Sequence, residues 1–327
     1  MFYVFLGLST YIATSTFFLY NPQLLHGKKK SAIKCRHISH RGGAAENLEN
    51  TITAFKQLLR LIAKIWFLSL LCSAIDCDTD MLEIDLHITK DGQVVVSHDD
   101  YLSRSCQKAI YVNQTDYQDL PMLEPPLKVT FTKDDWCYGD RSDRKIALLS
   151  EVFDAFANTP INMDLKVCDE KLIIQTDCLI RKYKRENITI WGSANDVVLQ
   201  KLYLQNPEVP TFFSKRRVVI TILLFYTGLL PFVPIKESYF EVIMPSIVKK
   251  VLNPELPIKS CAYAKFIDYL LMRPSLINHL KRRGIQVYLW VLNDENDFRR
   301  AFRLGADGIV TDYPTKLQKF LQKQKSD

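Results

Sequence analysis

Two histidines, an arginine, a lysine and three carboxylates carry the spacings most suggestive of chemistry in this chain. His40 and Arg41 stand side by side, with Glu46 and Asn47 shortly after. Glu83 and Asp85 are two apart, so on a β-strand both carboxylates project to one side. His98 follows the hairpin signal Asp91-Gly92. Asp164 and Lys166 repeat the two-apart spacing, and Trp290 lies in the apolar run Ile285 to Leu292. Carboxylate oxygens without cysteine partners select a hard divalent cation, Ca²⁺ or Mg²⁺. Arginine and lysine beside such a metal suit an anionic phosphate. Two imidazoles suit proton transfer near neutral pH. Taken singly, each residue has a plainer explanation, a solvated strand face or a structural histidine. Taken together they describe metal-assisted hydrolysis of a phosphodiester.

These residues need a scaffold that gathers strand ends. From residue 36 onward, short β-rich runs alternate with helical patterns. The strands are predicted at 37–39, 81–88, 94–98, 161–167, 188–191, 211–213, 239–244, 285–292 and 308–311. Between them, helices are predicted at 47–59, 148–157, 170–184, 196–205, 266–283 and 295–304. Alternation of this kind implies parallel strands joined by crossovers. Over about 280 residues the economical solution is an α/β fold of the closed (β/α)8 TIM-barrel type. An open doubly wound sheet is the alternative, but no GxGxxG follows the first strand. In a barrel the candidate residues sit at the C-terminal ends of the strands, where such folds build their sites.

Composition narrows the class further. With 11 Gly and 14 Pro in 327 residues, the chain is neither collagenous nor a Gly/Pro-rich disordered segment. The net charge of +7 is too mild and too scattered for a nucleic-acid binder, and it suits contact with anionic lipid. The eight cysteines include no CxxC pair and read as free thiols. Nothing in the sequence names a protein partner.

Phe2 to Tyr20 carries no charge and is long enough to cross a ~30 Å hydrocarbon core. It lacks a basic leading region and a small-residue cleavage site, so a transmembrane signal anchor over 1–35 is predicted in preference to a cleaved signal. Lys28, Lys29, Lys30, Lys34 and Arg36 follow it and place the body of the protein, 36–327, on the cytosolic side. Val218 to Ile235 is a second uncharged stretch. A barrel must keep all its strands on one side of a bilayer, so this stretch is expected to contact the membrane without crossing it.

The combined motifs resemble the glycerophosphodiester phosphodiesterase family. They are His40-Arg41-Gly42 with Glu46-Asn47, Glu83-Ile84-Asp85, Val96-Ser97-His98-Asp99, Asp164-Leu165-Lys166 and the C-terminal run Gly305 to Pro314. The N-terminal anchor and the 228–235 segment resemble its membrane-anchored lysophospholipase D branch. The resemblance implies one divalent metal on Glu83, Asp85 and Asp164, with His98 at or near it. It implies His40 and His98 as the acid and base, Arg41 and Lys166 on the phosphate, and Glu46, Asn47 and Trp290 toward the substrate. The implied substrate is a lysophospholipid at an intracellular membrane, most simply the endoplasmic reticulum. The alternatives are a deacylated glycerophosphodiester as substrate, or a lipid-binding barrel without catalysis. One departure stands out: an apolar insertion near 57–78 replaces the family's short glycine-containing link.

Overall fold

The computed structural model describes residues 1–30, 33–58, 79–139, 141–247 and 258–326. Its strands are β1 (His37–His40), β2 (Met81–Ile88), β3 (Val94–Val96), β4 (Leu127–Lys128), β5 (Trp136–Cys137), β6 (Ile161–Leu165), β7 (Thr189–Gly192), β8 (Tyr239–Ile243), β9 (Gln286–Trp290) and β10 (Gly308–Thr311). Seven of them run parallel in the order β7-β6-β2-β1-β10-β9-β8, and β3 folds back antiparallel on β2. Residues 211–212 close the ring through parallel bridges, Trp191 to Thr211 on one side and Phe212 to Tyr239 on the other. The closed α/β barrel expected from the sequence is therefore present. Gly192 is needed at the closure, because a Cβ there would lie 2.6 Å from the Phe212 ring.

The period-2 alternation of the strands sets what faces inward. Leu82, Ile84 and Leu86 of β2 and Met163 and Leu165 of β6 face outward into one helix-covered core. Val287 and Leu289 of β9 do the same in a second core. The inward positions at the start of the strands, Ile38, Met81, Ile190, Tyr239 and Tyr288, form an apolar plug with Ile33 and Cys35. One pleat further along, the inward positions turn polar, and the site begins there.

Three expected elements differ. The helix predicted at 266–283 is instead two, Ile258–Leu271 and Pro274–Arg282, parted at the proline. The helix predicted from Asn47 begins instead at 52. Asn50 has φ 60, a left-handed conformation that helices exclude, and Thr51 Oγ1 accepts the Ala54 N–H at 3.1 Å. The stretch Val218 to Ile235 is divided. Its first part lies in the barrel helix Lys215–Tyr226, and a short 3-10 turn, Leu230–Phe232, follows. Leu230, Pro231 and Ile235 are buried, whereas Val219, Leu223, Leu229 and Phe232 are exposed. From residue 59 onward the insertion near 57–78 lies outside the described residues.

Among the described residues, the helix Phe2–Tyr20 alone is long and apolar enough to cross a membrane. It meets the barrel where the strands begin. Tyr11 Oη donates to Thr227 O at 2.5 Å, Ser15 Oγ to Gly228 O at 2.6 Å, and Phe18 meets Phe232 edge-on at 5.9 Å.

Candidate active site

A cavity of about 480 Å³ opens at the C-terminal ends of the strands. His40, Arg41, Glu83, Asp85, His98, Asp164, Lys166 and Trp290 all line it. These are eight of the ten residues singled out in the sequence. Glu46 and Asn47 do not line it. Glu46 instead accepts the Thr315 N–H at 3.1 Å and the Thr315 hydroxyl at 2.6 Å, tying its loop to the start of the last helix, Pro314–Ser326. Asn47 is buried in the loop, with its N–H on Gly43 O at 2.9 Å.

His40 ends β1. Its Nδ1 lies 2.5 Å from Asp312 Oδ1, and its Nε2 faces Glu83 Oε2 at 3.9 Å. Burial favours the neutral imidazole, and Asp312 only partly opposes this. Asp312 is held in turn by Asn293, whose Nδ2 donates to Asp312 Oδ2 at 2.9 Å. His98 has a matching partner, Asp99, at 2.7 Å from Nδ1. Asp99 accepts from Arg104 Nε at 2.7 Å, and Arg104 also pairs with Glu49. Each imidazole thus has one nitrogen committed to a carboxylate and the other available to the cavity, the arrangement that general acid–base groups require.

Arg41 is fully buried. Its Nε is 3.1 Å from Asp85 Oδ2, and its Nη1 is 3.1 Å from the Thr130 hydroxyl and 3.5 Å from Glu49. Burial works against its charge, but Asp85, Glu49 and Glu83 outweigh it and its pKa is raised. Its contacts fix Asp85 in place, in addition to the phosphate role implied by the sequence. Lys166 Nζ lies between Asp85 Oδ1 at 2.7 Å and Asp164 Oδ2 at 2.5 Å. Burial disfavours the ionised carboxylate of Asp85, yet Lys166 and Arg41 hold its pKa far below the usual range. Glu83 shifts the other way, raised by burial and then by repulsion from Asp85.

The sequence reading assigns a cation to three carboxylates, Glu83, Asp85 and Asp164, and all three line the cavity. Asp85 Oδ1, Asp164 Oδ1, Asn162 Oδ1 and Glu241 Oε1 are buried without a well-directed hydrogen bond. Unsatisfied oxygens of this type fit a hard cation. As placed, no three His, Cys, Asp or Glu among the described residues enclose a metal point. The Lys166 ammonium stands between two of the carboxylates and supplies the positive charge there.

The structure adds residues the sequence reading did not single out. Asp312 ends β10 much as the other candidates end their strands, which was its available signal. Glu241 is the lone charge of β8 and points inward, bonded to Asn162 Nδ2 at 2.9 Å. Burial pushes its pKa up to about 8. Phe131 comes from the long excursion after β3 and meets His40 at 5.6 Å and Trp290 at 6.0 Å, edge-on to both. Its distance in sequence from every barrel strand left no signal. The far side of the cavity is apolar, built by Phe213, Val218, Val219 and Leu271, with Lys215 at the rim.

A sequence profile described as the glycerophosphoryl diester phosphodiesterase family matches residues 70–316. Lysophospholipase D GDPD1 of Homo sapiens is 47% identical over 321 residues, covering 98% of this chain and 96% of its own. Lysophospholipase D GDPD3 of Mus musculus is 37% identical over 332 residues, covering 100% of this chain and 94% of its own. Among solved structures, a phosphodiesterase of Oleispira antarctica in complex with the product sn-glycerol-3-phosphate has a TM-score of 0.59 at 19% identity. That likeness covers 90% of this chain and 100% of the other, and it concerns the fold.

Proposed function

The chain belongs to the glycerophosphoryl diester phosphodiesterase family, a family of phosphoric diester hydrolases, and we propose that it cleaves lysoglycerophospholipids to lysophosphatidic acid and the head-group alcohol. The observation that carries this reading is the two-sided cavity. Charged groups for a phosphodiester line one end, and Val218, Val219 and Leu271 line the other. A deacylated glycerophosphodiester has no use for that apolar wall. The names of the relatives at 47% and 37% identity point the same way.

In this reading His40, kept neutral by burial and oriented by Asp312, removes the proton from the nucleophile, either a water molecule, which gives lysophosphatidic acid directly, or the substrate's own glycerol hydroxyl, which gives its cyclic form for hydrolysis by water in a second step. A new P–O bond forms as the bond to the head-group oxygen breaks. His98, oriented by Asp99, gives its proton to the departing alcohol. Lys166 neutralises charge on the phosphate oxygens, and Arg41 keeps Asp85 ionised and in place. A divalent cation, Ca²⁺ or Mg²⁺, held by Glu83, Asp85 and Asp164 with His98 nearby, would supply Lewis-acid stabilisation of the phosphate. Trp290 and Phe131 line the reacting end beside His40.

The helix Phe2–Tyr20 anchors the enzyme in an intracellular membrane, the endoplasmic reticulum, with the barrel in the cytosol beside the basic flank Lys28 to Lys30. The test uses the full chain in vesicles, with lysophosphatidylcholine and glycerophosphocholine as substrates. Turnover of the lysolipid at a higher kcat/KM is expected. Preference for glycerophosphocholine would make the chain a glycerophosphodiesterase of the deacylated type. No turnover of either would leave a lipid-binding barrel. Asn113-Gln114-Thr115 and Asn187-Ile188-Thr189 are glycosylation sequons that stay bare in the cytosol, so glycosidase-sensitive modification at either would reverse the orientation.

A further inference from the structure

The cavity holds its charged groups at one end, and the acyl chain of a lysolipid needs an apolar path leading away from them. The apolar side of the cavity gives directly onto an exposed apolar face. Val219 belongs to both, and Leu223 and Tyr226 follow it along the same helical face. Beside them, the helix Ile258–Leu271 exposes Tyr263, Phe266 and Tyr269 before ending at Leu271, which again lines the cavity. The two helices are joined: Tyr226 Oη donates to Leu270 O at 3.1 Å and accepts from Arg273 Nε at 3.2 Å. The N-terminal apolar helix docks at the end of this face, on Thr227 and Gly228.

We propose that this face lies against the bilayer and that the lysolipid enters sideways between Val219 and Leu271, leaving its acyl chain among the membrane lipids while the phosphate reaches the charged end. The occupant is lipid for two reasons on the molecule itself. The face is continuous with the helix that, among the described residues, alone suits a membrane, and it opens into the apolar wall of the site. A patch of exposed large apolar side chains of this extent also marks an interaction surface. The proposal rests on the lysolipid reading for its kinetics, but the docking of the face does not.

The experiment uses the full chain in phosphatidylcholine vesicles. A photo-crosslinking residue in place of Leu223 or Phe266 should label lipid acyl chains. The same residue in place of Ile174, exposed on the helix Glu170–Lys182, should not. In parallel, Leu223→Glu and Phe266→Glu should each lower turnover of vesicle-embedded long-chain lysophosphatidylcholine by about tenfold. Both should leave glycerophosphocholine and a monomeric short-chain lysolipid at wild-type rates. Equal lipid labelling at all three positions, or crosslinks from 223 and 266 into a second protein molecule, would overturn the docking. Equal losses on all substrates would overturn the sideways route. If the wild-type chain turned over glycerophosphocholine alone, the lysolipid reading would fall while the labelling still decided the docking.

Discussion

Asp312→Asn isolates what the carboxylate does for His40, because the surrounding hydrogen bonds leave the substituted amide one orientation. Asn293 is pinned. Its Oδ1 accepts from the Thr311 hydroxyl at 3.1 Å and from the Asp312 N–H at 3.0 Å, so its Nδ2 must point at Asp312 Oδ2. An amide at position 312 therefore keeps its carbonyl toward Asn293 and turns its NH2 toward His40 Nδ1. That nitrogen must then accept, which moves the imidazole proton to Nε2 and removes the lone pair from the cavity. Burial already disfavours the imidazolium, so the ring cannot escape by protonating. The loss should match that of the general base, a fall in kcat of ~10²–10⁴, with KM within about threefold. The assay is kcat and KM on lysophosphatidylcholine, with thermal unfolding as a control for folding. Asn293→Ala in the Asp312→Asn background frees the amide to turn round and should recover part of the lost rate. Near-normal kcat in the single variant, or no recovery in the double, would refute the tautomer argument.

Chelation by EDTA should abolish turnover, and Ca²⁺ or Mg²⁺ should restore it in the wild type but not in Asp85→Asn; full activity in EDTA would remove the metal from the scheme. Glu46→Ala should cost ~1 kcal/mol through the lost bonds to Thr315, lowering Tm by a few degrees with kcat/KM unchanged, and a several-fold rise in KM would return Glu46 to the substrate. Glu241 has a folded pKa raised to about 8 from an ordinary 4.5, so its contribution to stability is full below 4.5 and is lost as pH rises toward 8. In EDTA, Tm should decline over that window and Glu241→Gln should flatten the decline; an unchanged slope would mean the carboxyl is not neutral when folded.

The upper polar layer was legible because a barrel strand sorts its residues by parity. Once Leu82, Ile84 and Leu86 face the helices, Glu83 and Asp85 have no direction but inward. The same rule places Asp164, Lys166 and Trp290. Pairings across long separations were not legible: Asp312 is 272 residues from His40, and no local pattern announces their contact. The late start of the helix at 52 was missed because Asn50 and Thr51 act through a left-handed turn and a cap, and hydropathy registers neither. At 218–235, mean hydropathy averaged two populations. Leu230 and Ile235 belong to the core, while Val219, Leu223 and Phe232 face outward, and only packing separates them.

The pairing of β1 with β10 has a consequence for how the protein is made. His37, Ile38 and Ser39 are in register with Ile309, Val310 and Thr311, so the first barrel strand synthesised waits for the last. Until the ribosome has released that end, β1 keeps an open edge and His40 lacks its carboxylate, a slow closure of the kind that long-range pairing imposes. A shortened product ending before residue 308 retains Glu83, Asp85, His98 and Asp164 but lacks the Gly305 to Pro314 run. It has neither a closed barrel nor an oriented His40. Turnover is thereby tied to a finished chain, because the last strand brings both the closing edge and the carboxylate that orients His40.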